Sequence, residues 1–315
     1  METISPEGVQ EGFIQVNGGR IWYRAVGTHR TGTPLLALHG GPGGTHDYLE
    51  PLEEMADERM VVFFDQIGSG KSDIPDDPAF WTIENYLQEI TAVRQALNLG
   101  RVHVLGHSWG SMLALDYALG KPAGVVSLTL SGPILSASRF IQDVERCVKQ
   151  LPPSAQRAIK DSKESGEYGG QEYQDALNLF YMHNVCRLYP WPRSLNRSMQ
   201  SFGMQVYEYM WGPSELSLTG TLKDFERVDR LKELALPALF TCGRFDQATP
   251  ASTAFYQSQL AGSELVVFEN AAHEHHLEKK EEYLRTLRAF LSKAEKPYDG
   301  IMLTRNGQVV CPKTK

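Results

Sequence analysis

The stretch Arg101-Val-His-Val-Leu-Gly-His-Ser-Trp-Gly-Ser-Met-Leu-Ala-Leu-Asp-Tyr-Ala-Leu119 decides the fold. Arg101 to Leu105 is β-branched and apolar and reads as a short buried strand. Met112 to Ala118 reads as a helix. Between them lies Gly106-x-Ser108-x-Gly110, the pattern of a nucleophile elbow. A serine between a strand and a helix must sit on a very tight turn. Gly106 and Gly110 leave room where a Cβ would collide with a neighbouring strand or helix. The turn lifts the Ser108 hydroxyl out of the sheet, near the positive end of the following helix. Ser108 is therefore the candidate nucleophile, and the rest of the chain must supply an acid, a base and donors for an oxyanion.

Working outward, Gly12–Val16 and Arg20–Arg24 flank Asn17-Gly-Gly19, a hairpin signal. Pro34–His39 and Met60–Asp65 read as buried strands, each running into a Gly-rich turn. Ile83–Leu97 has helical apolar spacing, with Thr82 as its cap. Gly124–Ser131 is another strand. The alternation predicts an α/β fold with a mainly parallel sheet flanked by helices. From 135 to 233 the chain instead reads as helical and polar, rich in Tyr, Trp, Met and Arg, with turns at Leu151–Ser154 and Glu164–Gly170. Strand signals return at Leu236–Cys242 and Glu264–Phe268, followed by a helix over Glu281–Lys293. The expected organisation is a core of residues 1–134 and 234–296, an inserted helical cap over 135–233, and an extension over 297–315. In that extension Ile301–Arg305 and Gln308–Cys311 flank Asn306-Gly307, a second hairpin signal that would cover a sheet edge or meet another subunit.

Composition narrows the function classes. The 315 residues, 42% of them hydrophobic, can bury a sizeable core. The net charge of −7 comes without any long basic run, which speaks against a nucleic-acid partner and suits an enzyme or a cationic substrate. Cys147, Cys186, Cys242 and Cys311 form no CxxC pair and read as reduced thiols. There is no signal-peptide pattern and no apolar run of membrane-spanning length, so a soluble cytoplasmic protein without a membrane partner is expected. The oligomeric state is left open.

A serine nucleophile needs a base, and the base needs an orienting acid. On an elbow of this type the chain order is Ser, then Asp or Glu, then His. Asp246, in the turn Gly243-Arg-Phe-Asp-Gln-Ala-Thr-Pro250 after a strand, is the best acid; the bland alternative is a turn aspartate. Ala271-Ala-His-Glu-His-His276 offers three histidines. His273 comes first after the strand and is the preferred base, while His275 and His276 read as solvated residues at a helix start. Clustered histidines also raise a metal, but no matching ligand set accompanies them, and no cofactor is expected. The oxyanion hole needs two backbone N–H donors. Trp109 follows the nucleophile. Gly41 in His39-Gly-Gly-Pro-Gly43 is the second, because Pro42 has no N–H. A phosphate loop is disfavoured, since the chain has no GxxxxGK[ST] pattern.

Together, His39-Gly-Gly-Pro-Gly43, Asp65-Gln-Ile-Gly-Ser-Gly-Lys-Ser72, Gly106-His-Ser-Trp-Gly110, Gly243-Arg-Phe-Asp246 and His273 resemble the prolyl aminopeptidases (proline iminopeptidases), α/β-hydrolases of the serine peptidase type. The resemblance spans about residues 12 to 293. It implies a capped hydrolase that removes an N-terminal residue, often proline, from a small peptide, with related members that are broader aminopeptidases or amino-acid amidases. The segment Tyr207-Glu-Tyr-Met-Trp-Gly-Pro-Ser-Glu215 is similar to the family's Gly-Pro-x-Glu segment. By that match Glu215 would pair with the substrate ammonium, with Tyr207 close by. One position departs: similar members often carry a glutamate directly after the catalytic aspartate, where this chain has Gln247. A neutral side chain there weakens ammonium binding and favours the competing reading, an esterase, lactonase or specialised hydrolase with the same triad and no need for a free amine. Glu208 or Glu226 would have to compensate. Of the aromatics Tyr181, Tyr189, Trp191, Phe202, Tyr209 and Trp211, a minority is expected at the pocket and the rest in packing. A non-enzymatic receptor built on the fold is the third reading, disfavoured because every triad position is filled.

Overall fold

Alternation along each strand splits the interior in two. Leu36, Leu38, Val62 and Phe64 face one apolar cluster, while Leu35, Ala37, Val61 and Phe63 face the other, as a period of two requires. The computed structural model describes residues 8–296, with the strand segments Met302–Leu303 and Val309–Val310 of the tail. In chain order the first elements are β1 (Val9–Val16), β2 (Gly19–Val26), β3 (Gly32–Leu38), β4 (Arg59–Phe64), α1 (Ile83–Ala96), β5 (Val102–His107), α2 (Trp109–Leu119) and β6 (Val125–Ser131). Then come α3 (Ala137–Val148), α4 (Pro153–Ser165), α5 (Gln171–Phe180), α6 (Arg193–Gln200) and α7 (Met204–Met210). The chain returns with β7 (Ala238–Gly243), α8 (Pro250–Ser258), β8 (Glu264–Phe268), α9 (His275–Glu278) and α10 (Lys280–Glu295).

The eight strands form one sheet in the order β1-β2-β4-β3-β5-β6-β7-β8. β1 and β2 pair as the antiparallel hairpin read at Asn17-Gly-Gly19, and β2 joins β4 antiparallel; every later pairing is parallel. This is the α/β-hydrolase plan, and it sets the nucleophile strand β5 in the middle of the sheet. α1 begins where Thr82 accepts the Asn85 N–H at 3.2 Å, and it buries Tyr86, Glu89, Ile90 and Val93 on one face. α2 is buried nearly all round, which suits a helix sandwiched behind the nucleophile. α10 covers the other face with Tyr283, Leu287, Phe290 and Leu291.

Among the helices that escape the sequence reading, two have a recognisable physical reason. His46–Asp57 is a 3-10 helix with Leu49, Leu52 and Met55 buried, so its apolar residues recur every three positions rather than at the α-helical spacing. α8 opens with Thr249 as cap and Pro250 in its first turn, a start signal hidden inside the segment read as a turn.

Between β6 and β7 the described chain has no strand, only helices, turns and two isolated bridges. This helical insertion is stitched onto the Gly-rich loops that follow β3 and β4. Gly203 N–H donates to Gly43 O (2.7 Å), Gly70 N–H to Ser201 O (3.2 Å) and Thr45 N–H to the Ser198 hydroxyl (3.1 Å). In the tail Met302–Leu303 pairs antiparallel with Val309–Val310 as a sheet separate from the main one; the Asn306-Gly307 turn lies outside the described residues. Among the described residues no helix is long and apolar enough to cross a membrane.

Candidate active site

β5 ends at His107, and Ser108 turns the chain with φ +56° and ψ −123°, a conformation strained for a residue with a Cβ. The turn is held by Ser108 N–H to Ser131 O at 2.9 Å and Ser111 N–H to Ser108 O at 2.8 Å. A Cβ on Gly106 would run into the Gly110 carbonyl, and one on Gly110 into the Leu38 carbonyl of β3. Both glycines are thus demanded by close backbone approach.

Asp246 lies in the turn after β7, where its Oδ1 accepts from His273 Nδ1 at 2.7 Å and from Ala248 N–H at 2.8 Å. Burial by itself disfavours the His273 imidazolium, but the charge and hydrogen bond of Asp246, with Glu274 and Glu215 behind it, outweigh this and hold the His273 pKa above its ordinary value. His273 Nε2 has no partner among the described residues and borders the same cavity as Ser108. Asp246 and His273 are thus hydrogen-bonded to each other, while Ser108 and His273 border one cavity with no hydrogen bond between them.

Gly41 has φ +120° and donates no hydrogen bond to the described protein, so its N–H is available at the cavity wall. The Trp109 side chain is buried, its indole N–H donating to Gln66 Oε1 at 2.8 Å. Its backbone N–H opens α2 and has no intrahelical partner. Gln66 in turn donates its backbone N–H to His39 Nε2 (2.9 Å) and its side chain to His39 O (3.0 Å). The two predicted oxyanion donors therefore hang from one buried lattice.

That lattice reaches the base by a second route. Gly40 N–H donates to the Tyr48 hydroxyl (2.6 Å), Tyr48 to His107 Nδ1 (2.9 Å), and His107 Nε2–H to His273 O (3.0 Å). Burial and the neighbouring histidines push the His107 pKa well down, so the ring stays neutral and can do both jobs. His275 and His276 are not solvated: both are buried. His275 Nδ1–H donates to His273 O (2.9 Å), while its Nε2 accepts from the Ser131 hydroxyl (2.9 Å), which in turn accepts from Thr241 (3.1 Å); His276 donates to Tyr48 O (3.0 Å). Burial pushes their pKa values down to about 3 and about 4. Their partners come from β6, β7 and the 3-10 helix, which local sequence does not reveal. His107, Glu274 and His276 also present ligand atoms within 4.8 Å of one another. Both His107 ring nitrogens are already committed to hydrogen bonds, however, which leaves no lone pair for a metal.

The cavity measures about 320 Å³ and lies between the strand ends and the helical insertion. From the insertion Tyr207 O–H donates to Glu215 Oε2 at 2.7 Å, and Gln247 Nε2 donates to Glu215 Oε1 at 2.7 Å. All three line the cavity with Ser108 and His273. Burial raises the Glu215 pKa against the Tyr207 hydrogen bond, the His273 charge and the Gln247 hydrogen bond. Of the six aromatics considered, Tyr181, Trp191 and Phe202 reach the cavity. Tyr189 is exposed, Tyr209 packs edge-on against Trp81, and Trp211 is core beside Phe140. Tyr168 and Tyr173 line it as well, unread from sequence. Neither proposed compensator reaches it: Glu208 is exposed, and Glu226 accepts the Ser138 N–H in a separate surface cleft. The missed acid is Glu274, buried at the cavity wall directly after the base.

This sheet order with a serine elbow in its central strand defines an α/β-hydrolase, and residues 33–280 match the family model described as alpha/beta hydrolase fold. Within that class the chain belongs to the proline iminopeptidase family. It is 43% identical to the proline iminopeptidase of Heyndrickxia coagulans, over 90% of this chain and 98% of that one. Among solved structures it superimposes on the proline iminopeptidase of Mycobacterium smegmatis with a TM-score of 0.84 at 32% identity, and on VinJ with 0.87 at 31%. Both superpositions cover 90% of this chain and 98% of the other.

Proposed function

We propose that this protein is a serine aminopeptidase that releases an N-terminal residue with a free amine, proline first among them, from small peptides or amino-acid amides. The observation that carries the reading is the Glu215 carboxylate, held by Tyr207 and Gln247 in the same cavity as Ser108 and the Asp246–His273 pair. A carboxylate at a cavity wall recognises a cation by a charge-assisted hydrogen bond, and each of its oxygens keeps a lone pair beyond the bond it already accepts.

In this mechanism the Ser108 hydroxyl attacks the carbonyl carbon of the first residue and passes its proton to His273 Nε2, while Asp246 orients the ring. The Gly41 and Trp109 N–H groups hold the oxyanion. The tetrahedral intermediate collapses, the C–N bond breaks, and His273 returns the proton to the leaving amine. Water then attacks the aminoacyl ester, again with His273 as base, and the free amino acid leaves. Residues 135–233 act as a cap that sets which first residue fits. The free thiols of Cys147, Cys186 and Cys242 suit a reducing compartment such as the cytoplasm.

The test is hydrolysis of matched proline and alanine p-nitroanilides, each with a free and an acetylated amine. Cleavage confined to the free-amine pair supports the reading. Equal cleavage of the acetylated pair replaces it with the esterase-like alternative, for which Gln247 is the one favourable feature.

A further inference from the structure

A single carboxylate is a thin counter-charge for an ammonium drawn into a cavity, and Gln247 contributes none. Glu274 supplies another. Its backbone N–H donates to Val185 O at 2.8 Å, which ties it to the helical insertion, and only 6% of the residue is exposed. It lines the cavity that holds Ser108, His273 and Glu215. Its Oε2 is buried without a hydrogen-bond partner. The nearest ring donors, His276 Nε2 at 3.6 Å and His107 Nε2 at 4.0 Å, lie beyond hydrogen-bonding distance and already serve the Tyr48 and His273 carbonyls. A buried carboxylate oxygen with no donor is costly unless a ligand completes it.

We propose that Glu274 is the second carboxylate for the substrate ammonium, lining the same cavity as the Glu215–Tyr207–Gln247 group. The assignment rests on the free-amine reading above. Burial, with the negative charges of Glu278, Asp246 and Glu215 opposed by His273, raises the Glu274 pKa to about 8. An arriving cation favours the ionised form of the group.

The experiment is steady-state kinetics of the full chain on proline p-nitroanilide, comparing wild type, Glu215→Gln, Glu274→Gln and the double variant Glu274→Gln with Gln247→Glu. Loss of one charged hydrogen bond predicts a KM raised roughly 10- to 100-fold in Glu274→Gln, with a smaller change in kcat. Gln247→Glu, which restores a carboxylate elsewhere on the cavity wall, should recover part of that loss. A mere packing role for Glu274 would not be rescued from a different position. Should Glu274→Gln fail to fold, Glu274→Asp keeps the charge but withdraws it by one methylene, and a raised KM is again expected. A lowered kcat at unchanged KM would assign Glu274 to positioning His273 and overturn the proposal. So would an effect of Glu215→Gln with none from either Glu274 variant. If neither glutamate matters and the acetylated substrate is cleaved equally well, the free-amine reading itself falls.

Discussion

The two walls of the cavity are built on different principles. The strand-end wall carries Ser108, Asp246, His273 and the Gly41 and Trp109 N–H groups. Buried hydrogen bonds run behind it: the Trp109 indole to Gln66, Gly40 N–H to Tyr48, His107 and His275 to the His273 carbonyl, Ser108 N–H to Ser131 O and Ala248 N–H to Asp246. The insertion wall carries Glu215, Tyr207 and a set of aromatics on short helices and the loops between them, with two hydrogen bonds organising the one charge. The first wall has the rigidity that bond-making chemistry needs. The second has the apolar surface and few polar anchors that selection among ligands needs. Mutations in the first should therefore appear in kcat, and mutations in the second in KM and substrate preference.

The largest effect should come from Ser108→Ala. Turnover of proline p-nitroanilide should fall by on the order of 10⁵-fold, with the thermal unfolding midpoint close to wild type. Retained turnover in that variant would remove the division between the walls altogether, because the strand-end wall would then have no chemistry to support.

Asp246→Asn should cost on the order of 10⁴ in kcat, because the amide no longer selects the tautomer that leaves His273 Nε2 free to accept a proton. It also supplies a pH test. The base must be neutral, so activity is lost as pH falls through the His273 pKa. Asp246 holds that pKa up against burial, with Glu274 and Glu215 adding to it. Removing the Asp246 charge lets burial dominate, and the acidic limb of the residual kcat/KM profile should move to lower pH. A limb that stays in place would mean that another group governs it.

How much of this was legible in the sequence follows the same division. The elbow and the sheet could be read because they are local: a strand, a tight turn and a helix in a row, with glycines where a Cβ has no room. Asp246 and His273 could be read because each follows a strand in a fixed chain order. The burial of His275 and His276 is not legible locally because Ser131, Thr241 and Tyr48, which surround and bond them, are remote in sequence. The burial of Glu274 is hidden for the same reason, since Val185, which accepts its N–H, is remote in sequence. On the insertion the aromatics could be counted but not sorted into pocket and packing, because the helix arrangement rather than any local pattern decides which of them face the cavity.

Glu215→Gln is the first test of the insertion wall. It should raise KM for the free-amine anilide roughly 10- to 100-fold, the worth of a hydrogen bond to a charged group, with kcat little changed. A loss expressed wholly in kcat would place Glu215 with the chemistry and erase the contrast.

The smallest and sharpest comparison sets two tyrosines against each other. Tyr48 and Tyr207 are both buried, and each hydroxyl anchors one wall: Tyr48 bridges Gly40 N–H to His107, and Tyr207 donates to Glu215. A phenylalanine at either position keeps the ring and removes only that anchor. Tyr48→Phe leaves a buried Gly40 N–H without its acceptor, at a cost of about 1–3 kcal/mol in stability. It also loosens the route from the oxyanion loop to the base, so kcat should fall severalfold with KM little changed. Tyr207→Phe leaves the backbone network untouched and takes one donor from Glu215, so KM for the free-amine substrate should rise severalfold at nearly constant kcat. The two side-chain deletions are chemically identical, so opposite kinetic signatures can arise only from the wall each tyrosine belongs to. If both variants shift the same parameter, the walls are one mechanical unit, and specificity in this cavity cannot be tuned without disturbing its chemistry.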